Sequence, residues 1–181
     1  MSPLLNSSES SRPARRRLRW MSWLLSLACA IPLALHAQVA PGDAFPSLAE
    51  AGLSGGSVPE TAGRVVLVDF WASWCAPCRS SFPAFARLNT DYSSRGLVIV
   101  AVSIDDKPAA YAAFVKKWQP PFAALLDGEQ KLVRSVKVPT MPTSYLLGRD
   151  GRVRFVHAGF HGSATEEELR RHIDAVLAEK T

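Results

Sequence analysis

Hydrophobic residues along the chain alternate between continuous runs and helical spacings. The runs Val65–Trp71 and Leu97–Ile104 are β-favouring and almost wholly apolar, which is typical of strands covered on both faces of a sheet. Between them, apolar side chains recur every three or four residues and predict a helix over Cys75–Ser93. A strand, a helix and a second strand in this order predict a parallel, right-handed crossover.

The rest of the chain continues this alternation. It predicts helices over Ala109–Trp118, Glu129–Val136 and Thr165–Ala178. It predicts strands over Phe122–Leu126, Ser144–Leu147 and Val153–His157. Ser163 or Thr165 is expected to cap the last helix, because a hydroxyl there can accept a hydrogen bond from the first turn. Residues 38–63, rich in glycine, proline and serine, predict an irregular opening segment with one weak hairpin.

Length and charge narrow the function classes. A chain of 181 residues, 48% of them hydrophobic, has the size of one well-filled domain plus tails. The formal net charge is +5, but five of the 21 basic residues and one of the 16 acidic residues precede Gln38. The remainder holds 16 basic and 15 acidic residues and no basic stripe with interleaved aromatics. We therefore expect no nucleic-acid partner.

The first 37 residues have the pattern of an export leader. An arginine-rich stretch is followed by the uncharged run Trp20–Leu35 and by Ala37, after which the sequence becomes polar. Residues 1–37 are therefore interpreted as a signal peptide cleaved near Ala37 or as an N-terminal membrane anchor through Trp20–Leu35, with Cys29 packed inside it. The domain over residues 38–181 is expected in the periplasm or at the outer face of the cytoplasmic membrane.

Two cysteines remain after the leader, and their position has chemical meaning. Cys75 and Cys78 lie between a buried strand and a predicted helix, where unpaired N–H groups and the helix dipole favour a thiolate. We expect Cys75 to be the nucleophile and Cys78, one turn further on, to resolve the mixed disulfide. Pro77 suits a first turn, because its missing N–H costs no hydrogen bond there.

The cysteine pair also permits other interpretations. A permanent disulfide would close a very short loop and stabilise the fold little. His157 and His161 could complete a zinc site, although their spacing from the cysteines is unusual. A copper-binding assembly factor that uses the two thiols, with His157 or His161 as a further ligand, is the principal rival function. A thiol peroxidase is disfavoured by the second cysteine. His172 is expected on the surface of a helix. No resident metal or other cofactor is expected.

The run Val68–Arg79 closely resembles the active-site region of the thioredoxin superfamily, and more narrowly that of exported reductases of the TlpA and ResA type. The likeness extends from Phe45 to Leu177. It implies an α/β, thioredoxin-like fold with a central mixed β-sheet flanked by helices, and an extra helix and strand inserted after Ile104. It also implies a thiol-disulfide oxidoreductase with a redox-active Cys75–Cys78 disulfide.

The resemblance assigns roles to residues outside the cysteine pair. The segment Met141–Leu147 matches the one that places a cis-proline against the disulfide, so Pro142 is expected to be cis, with Pro139 as the alternative. Asp69 is expected to take the proton of Cys78 through a water molecule, helped by a raised pKa. The alternative for Asp69 is a structural acid bonded to a backbone N–H or to Arg79.

The docking surface is also taken from the resemblance. Four residues are expected to bind the substrate peptide, namely Trp74, Ala76, Pro77 and Met141. The main chain of Met141 is expected to pair with the incoming peptide, which would bind as an added strand. Trp71, by contrast, is expected to pack in the core.

The expected partners are exported client proteins with disulfides, such as apocytochrome c or copper-site proteins, and a membrane thiol reductant. Many cytochrome-maturation relatives have Glu where this chain has Ala76, and some have Pro-Glu-Thr where it has Pro142-Thr143-Ser144. A general or metal-centre-linked reductase therefore fits at least as well as a dedicated haem-pathway role. The motif leaves the direction of electron flow open, because oxidants and reductants share it.

Overall fold

The computed structural model describes residues 38–180, and the predicted leader with Cys29 lies outside that range. The elements follow in the order β1 Val65–Trp71, α1 Ala76–Tyr92, β2 Leu97–Ser103, α2 Pro108–Trp118, β3 Ala123–Leu126, α3 Lys131–Val136, β4 Thr143–Leu147, β5 Val153–Ala158 and α4 Ser163–Leu177. A short 3₁₀ turn over Ser93–Arg95 joins α1 to β2. The helices and strands predicted after residue 63 are all present, with bounds that differ by at most two residues.

The five strands form one mixed sheet in the order β3-β2-β1-β4-β5. β1 pairs in parallel with β2 and antiparallel with β4, and β2 pairs in parallel with β3. α2 and β3 are the predicted insertion, which adds an edge strand to the sheet. The thioredoxin-like α/β architecture expected from the sequence is thereby confirmed.

β1 is buried along its whole length because both faces of the sheet are covered. Val65 and Leu67 pack with α1 and α4, whereas Val66, Val68 and Phe70 pack on the opposite face with α3 and the opening segment. Aromatic rings from α1 and α2 surround Trp71, which is fully buried as expected. These packed faces hold the carboxyl end of β1, and therefore the start of α1, in a fixed position.

Two local expectations were wrong. The opening segment does not pair with itself: Ala44 bridges to Arg152, and Ser54 bridges to Leu126 at the β3 edge. The N-cap of α4 is Gly162 instead of Ser163 or Thr165, and the Thr165 hydroxyl accepts a hydrogen bond from the N–H of His161. Among residues 38–180, no helix has the length and apolar character needed to cross a membrane.

Candidate active site

Cys75 and Cys78 form a disulfide at the N-terminus of α1, with an S–S distance of 2.05 Å. Cys75 is the N-cap residue, and its Sγ accepts a hydrogen bond from the N–H of Cys78 at 3.2 Å. The first turn of α1 contains no acidic residue. The 17-residue helix thus directs its free N–H groups and positive dipole end at the Cys75 sulfur, which favours its thiolate form.

The two cysteines differ in their access to solvent. Cys75 is 5% exposed and Cys78 is 0% exposed. Around Cys75 lie exposed residues of the expected docking surface: Trp74, at 65% exposure, Ala76 and Pro77. Of the two cysteines, Cys75 is therefore the one that keeps some access to solvent.

The segment before β4 borders the same apolar cluster. The Met141–Pro142 peptide bond is cis, and among the described residues no cis bond precedes Pro139. Met141 is half-buried and packs against the cluster that contains Cys75, Cys78 and Trp71. The structure thus brings Met141 against the apolar cluster that contains the cysteine pair.

The loop between β1 and α1 is held by a buried carboxylate. Asp105 accepts hydrogen bonds from the Ser73 N–H at 3.1 and 3.2 Å, from the Ser73 hydroxyl at 2.7 Å and from the Ser103 hydroxyl at 2.7 Å. Arg79 donates to the Ser73 carbonyl from the other side, at 3.1 Å. These bonds fix the residues that lead into Cys75.

Asp69 is a fully buried acid in the middle of β1. Its Oδ1 accepts a hydrogen bond from the Ser144 hydroxyl at 2.6 Å, and among the described residues its Oδ2 has no partner. Burial raises the pKa of Asp69 from 3.8 to about 8, and the Ser144 hydrogen bond opposes part of that rise. The partner of Asp69 is thus neither a backbone N–H nor Arg79, the two alternatives considered from the sequence.

Asp69 belongs to the face of the sheet that carries the cysteine pair. It lies in register with Ala101 of β2, and Ala101 packs in the same cluster as Cys78 and Trp71. A carboxyl with a pKa near that of a thiol, about 8.5 in an ordinary cysteine, can exchange a proton with it at little cost.

Sequence reasoning missed two residues of this site, Ser144 and Asp105. Ser144 is a polar residue inside the buried strand β4. A buried hydroxyl needs a hydrogen-bond partner, and this is the signal by which the sequence could have indicated Ser144. Asp105 follows β2, and the carboxyl ends of parallel neighbours lie at one edge of the sheet, since Trp71 pairs with Ser103. A carboxylate there is therefore within reach of the loop after β1.

The histidines are arranged differently from the pairing considered in the sequence. His157 is buried on β5, next to Glu168 and His172 of α4, whereas His161 is exposed in the loop before α4. His172 was expected on a solvent-facing helical surface. It is instead half-buried, with its ring stacked on Phe155 at 3.7 Å, because α4 packs on β5.

The chain is similar to known thiol-disulfide proteins. It is 30% identical over 114 residues to the thiol-disulfide oxidoreductase ResA of Bacillus cereus, a match that covers 63% of this chain and 64% of that protein. With Bacillus subtilis ResA the identity is 29% over 119 residues, covering 66% of this chain and 65% of ResA. The chain thus spans somewhat less than two thirds of the length of these relatives.

The fold is also found in solved structures. A candidate thiol:disulfide interchange protein DsbE from Chlorobium tepidum superposes with a TM-score of 0.72 at 35% identity, covering 78% of this chain and all of the other. The Redoxin family model matches residues 40–173, which include every strand and the cysteine pair. The predicted relationship is therefore confirmed, and the chain belongs to the Redoxin family within the thioredoxin superfamily.

Proposed function

We propose that this protein is a thiol-disulfide oxidoreductase that reduces disulfides in exported proteins. The observation that carries the proposal is the asymmetry of the Cys75–Cys78 pair. Cys75 keeps slight exposure at the helix N-terminus, with exposed Trp74, Ala76 and Pro77 beside it in the sequence, whereas Cys78 is fully buried. A client can thus meet one sulfur while the other is protected, as two-step exchange requires.

In the first step the Cys75 thiolate of the reduced protein attacks one sulfur of a client disulfide. The client S–S bond breaks, a bond forms between Cys75 and the client, and the second client sulfur leaves with the bonding electrons and takes up a proton. The free N–H groups of α1 stabilise the attacking thiolate. Exposed Trp74, Ala76 and Pro77, with Met141, form the surface against which the client peptide docks.

In the second step Cys78 attacks the Cys75 sulfur. The Asp69 carboxylate takes the Cys78 proton, directly or through a water molecule, and the Cys75–Cys78 bond forms as the bond between Cys75 and the client breaks. The client sulfur leaves with the bonding electrons and takes up a proton, so the client is released as a dithiol. Two electrons have then passed to the client, and a thiol reductant must return two electrons to the pair. Since no further group is needed, the proposal includes no cofactor.

The site of action follows from the leader predicted over residues 1–37. We propose that the domain works in the periplasm or at the outer face of the cytoplasmic membrane, and that a membrane thiol reductant recharges it. The proposed direction of electron flow, from this protein to the client, rests on the resemblance to ResA-type reductases. A reduction potential near that of thioredoxin, about −270 mV, would support it, and one near that of DsbA, about −120 mV, would contradict it.

The exchange mechanism is tested by trapping. In full-length protein carrying Cys29→Ser, the Cys78→Ser variant should accumulate mixed disulfides through Cys75, because attack needs only Cys75 and release needs Cys78. Non-reducing electrophoresis and mass spectrometry would identify the joined cysteines. The matched Cys75→Ser variant should trap nothing; trapping by that variant instead would reverse the two roles, and trapping by neither would reject the proposal.

A further inference from the structure

A second group of chemically competent side chains lies where α4 crosses β5. His157 Nε2 is 3.1 Å from His172 Nδ1, and His157 Nδ1 is 3.6 Å from a carboxylate oxygen of Glu168. One donor atom can be chosen from each of the three residues so that all lie within 4.8 Å of one another. The cysteine pair takes no part in this group.

The three side chains are positioned by regular secondary structure. His157 is buried on β5 and lies in register with Ser144 of β4. Glu168 and His172 are one turn apart on α4, so they project from the same side of that helix. The His172 ring is held by stacking on Phe155, with an interplanar angle of 8°. Two imidazoles are thereby held facing each other without a loop having to close.

This spacing is close to the one that a tetrahedral ion imposes on its ligands. Nitrogen atoms bound to one zinc ion at 2.0 to 2.1 Å are separated by about 3.3 Å, near the 3.1 Å between His157 and His172. Glu168 has a side chain that is 47% exposed, so it can move toward an ion without disturbing the core. One ligand atom from each of the three residues already lies within 4.8 Å of the others, so three-ligand coordination requires the carboxylate and the two rings to move closer together.

We propose that His157, Glu168 and His172 form a zinc-binding site that ties α4 to β5. Two imidazoles and one carboxylate are a donor set that zinc accepts, with a fourth position for water. The set lacks sulfur, so it does not favour Cu(I) and differs from the thiol-based copper site considered in the sequence. No resident metal was expected there, because His157 and His172 look unrelated until α4 packs against β5.

The test is zinc binding by the oxidised full-length protein in detergent. The Cys75–Cys78 disulfide removes both thiols as ligands, and a Cys29→Ser, His36→Ala background removes the cysteine and histidine of the leader. Titration with Zn²⁺ against a competing chelator should give one equivalent of bound ion. Titration with Co²⁺ should give the visible absorption of a site with nitrogen and oxygen ligands.

Matched variants locate the site. His157→Ala and His172→Ala should each weaken Zn²⁺ affinity at least about 10-fold, and Glu168→Gln should weaken it by about 10-fold. His161→Ala is the control, because His161 is exposed and contributes its backbone N–H, not its ring, to a hydrogen bond with Thr165. The Zn²⁺ affinity of the His161→Ala variant should equal that of the parent.

Specific results would contradict the zinc-site proposal. Absence of saturable binding in the parent would overturn it, as would equal loss of affinity in the His161→Ala control. Circular dichroism checks that the buried His157 can be replaced without unfolding. If His157→Ala does not fold, Glu168→Gln and His172→Ala still decide, and unchanged Zn²⁺ affinity in both would reject the site.

Discussion

The Ser144 hydroxyl donates a 2.6 Å hydrogen bond to Asp69 Oδ1 between two residues that face each other across antiparallel strands. Asp69 is 0% exposed and Ser144 is 5% exposed, so the bond is largely shielded from solvent. It lowers the pKa of Asp69, but burial raises it by more, and the result is a pKa of about 8. Asp69 therefore remains mostly protonated at neutral pH, yet can lose and regain a proton near the pKa of a thiol.

Asp69→Asn should stabilise the oxidised protein at neutral pH. The unfolded acid loses its proton near pH 3.8, whereas the folded one keeps it until about pH 8, so the native state binds more protons between these values. The free energy of unfolding of the parent should therefore fall as pH rises through that window, by on the order of 4 kcal/mol at pH 7. Asparagine does not titrate, and its variant should lack this fall.

Denaturant unfolding of both proteins at pH 4, 6 and 8 would measure the difference. The two proteins should be similar at pH 4 and should diverge as pH increases. Asp106→Asn is a suitable control, because Asp106 is exposed and adjacent to the site. Parallel pH dependence in the parent and in Asp69→Asn would show that Asp69 is not the titrating group.

The release of a client should depend on the ionised form of Asp69. In stopped-flow measurements, resolution of a Cys75 mixed disulfide should speed up as pH rises through about 8 in the parent. The Asp69→Asn variant should resolve the mixed disulfide more slowly, and its rate should not rise near pH 8. Ser144→Ala should shift the step to higher pH, because it removes the hydrogen bond that lowers the pKa of Asp69, while Ser144→Thr should keep the parental profile. A step unaffected by Asp69→Asn would reject the proton-transfer role.

Asp105 should support the loop that carries Cys75. Asp105→Asn replaces an acceptor oxygen facing the Ser73 N–H and hydroxyl, which should cost on the order of 2 kcal/mol in unfolding free energy and slow client reduction. Asp106→Asn should cost less than about 1 kcal/mol, because Asp106 is exposed. Chemical denaturation and a disulfide-reduction assay test both variants. Equal effects of Asp105→Asn and Asp106→Asn would contradict a role of Asp105 in supporting this loop.

Trp74 should contribute to docking and little to folding. Its side chain is 65% exposed, so Trp74→Ala should leave stability within about 0.5 kcal/mol of the parent. It should raise the KM for a protein disulfide several-fold and leave the reduction of a small-molecule disulfide unchanged. Trp118→Ala is a control, because Trp118 is the other exposed large hydrophobic residue of the described chain and lies on α2, with its ring stacked on Phe114. An equal rise in KM for both disulfide substrates would argue against a docking surface.

The fold could be predicted because its main elements have local patterns. β1 was bounded correctly at Val65–Trp71, since a continuous apolar run needs no tertiary information to be recognised. The cysteine motif and its position before a helix were equally local. The cap of α4 was not, because a hydroxyl at Ser163 or Thr165 can bond elsewhere, and the Thr165 side chain accepts from His161.

What sequence could not supply were contacts between distant segments. Ser144 follows Asp69 by 75 residues, and nothing local joins them. His172 was assigned to the surface because helical spacing does not show which neighbour covers a half-apolar face; β5 covers it. Such partners become visible only when strand order and helix packing are known.

The central position of β1 has a consequence for the newly made chain. Cys75 and Cys78 leave the ribosome well before β4, so the nascent dithiol exists for a time without the Asp69–Ser144 bond and without the packed helix end. Strand pairing over such long separations is slow compared with local helix formation. The unfinished chain therefore lacks the buried pair that we expect to assist Cys78, and this pair is complete only when β4 inserts beside β1.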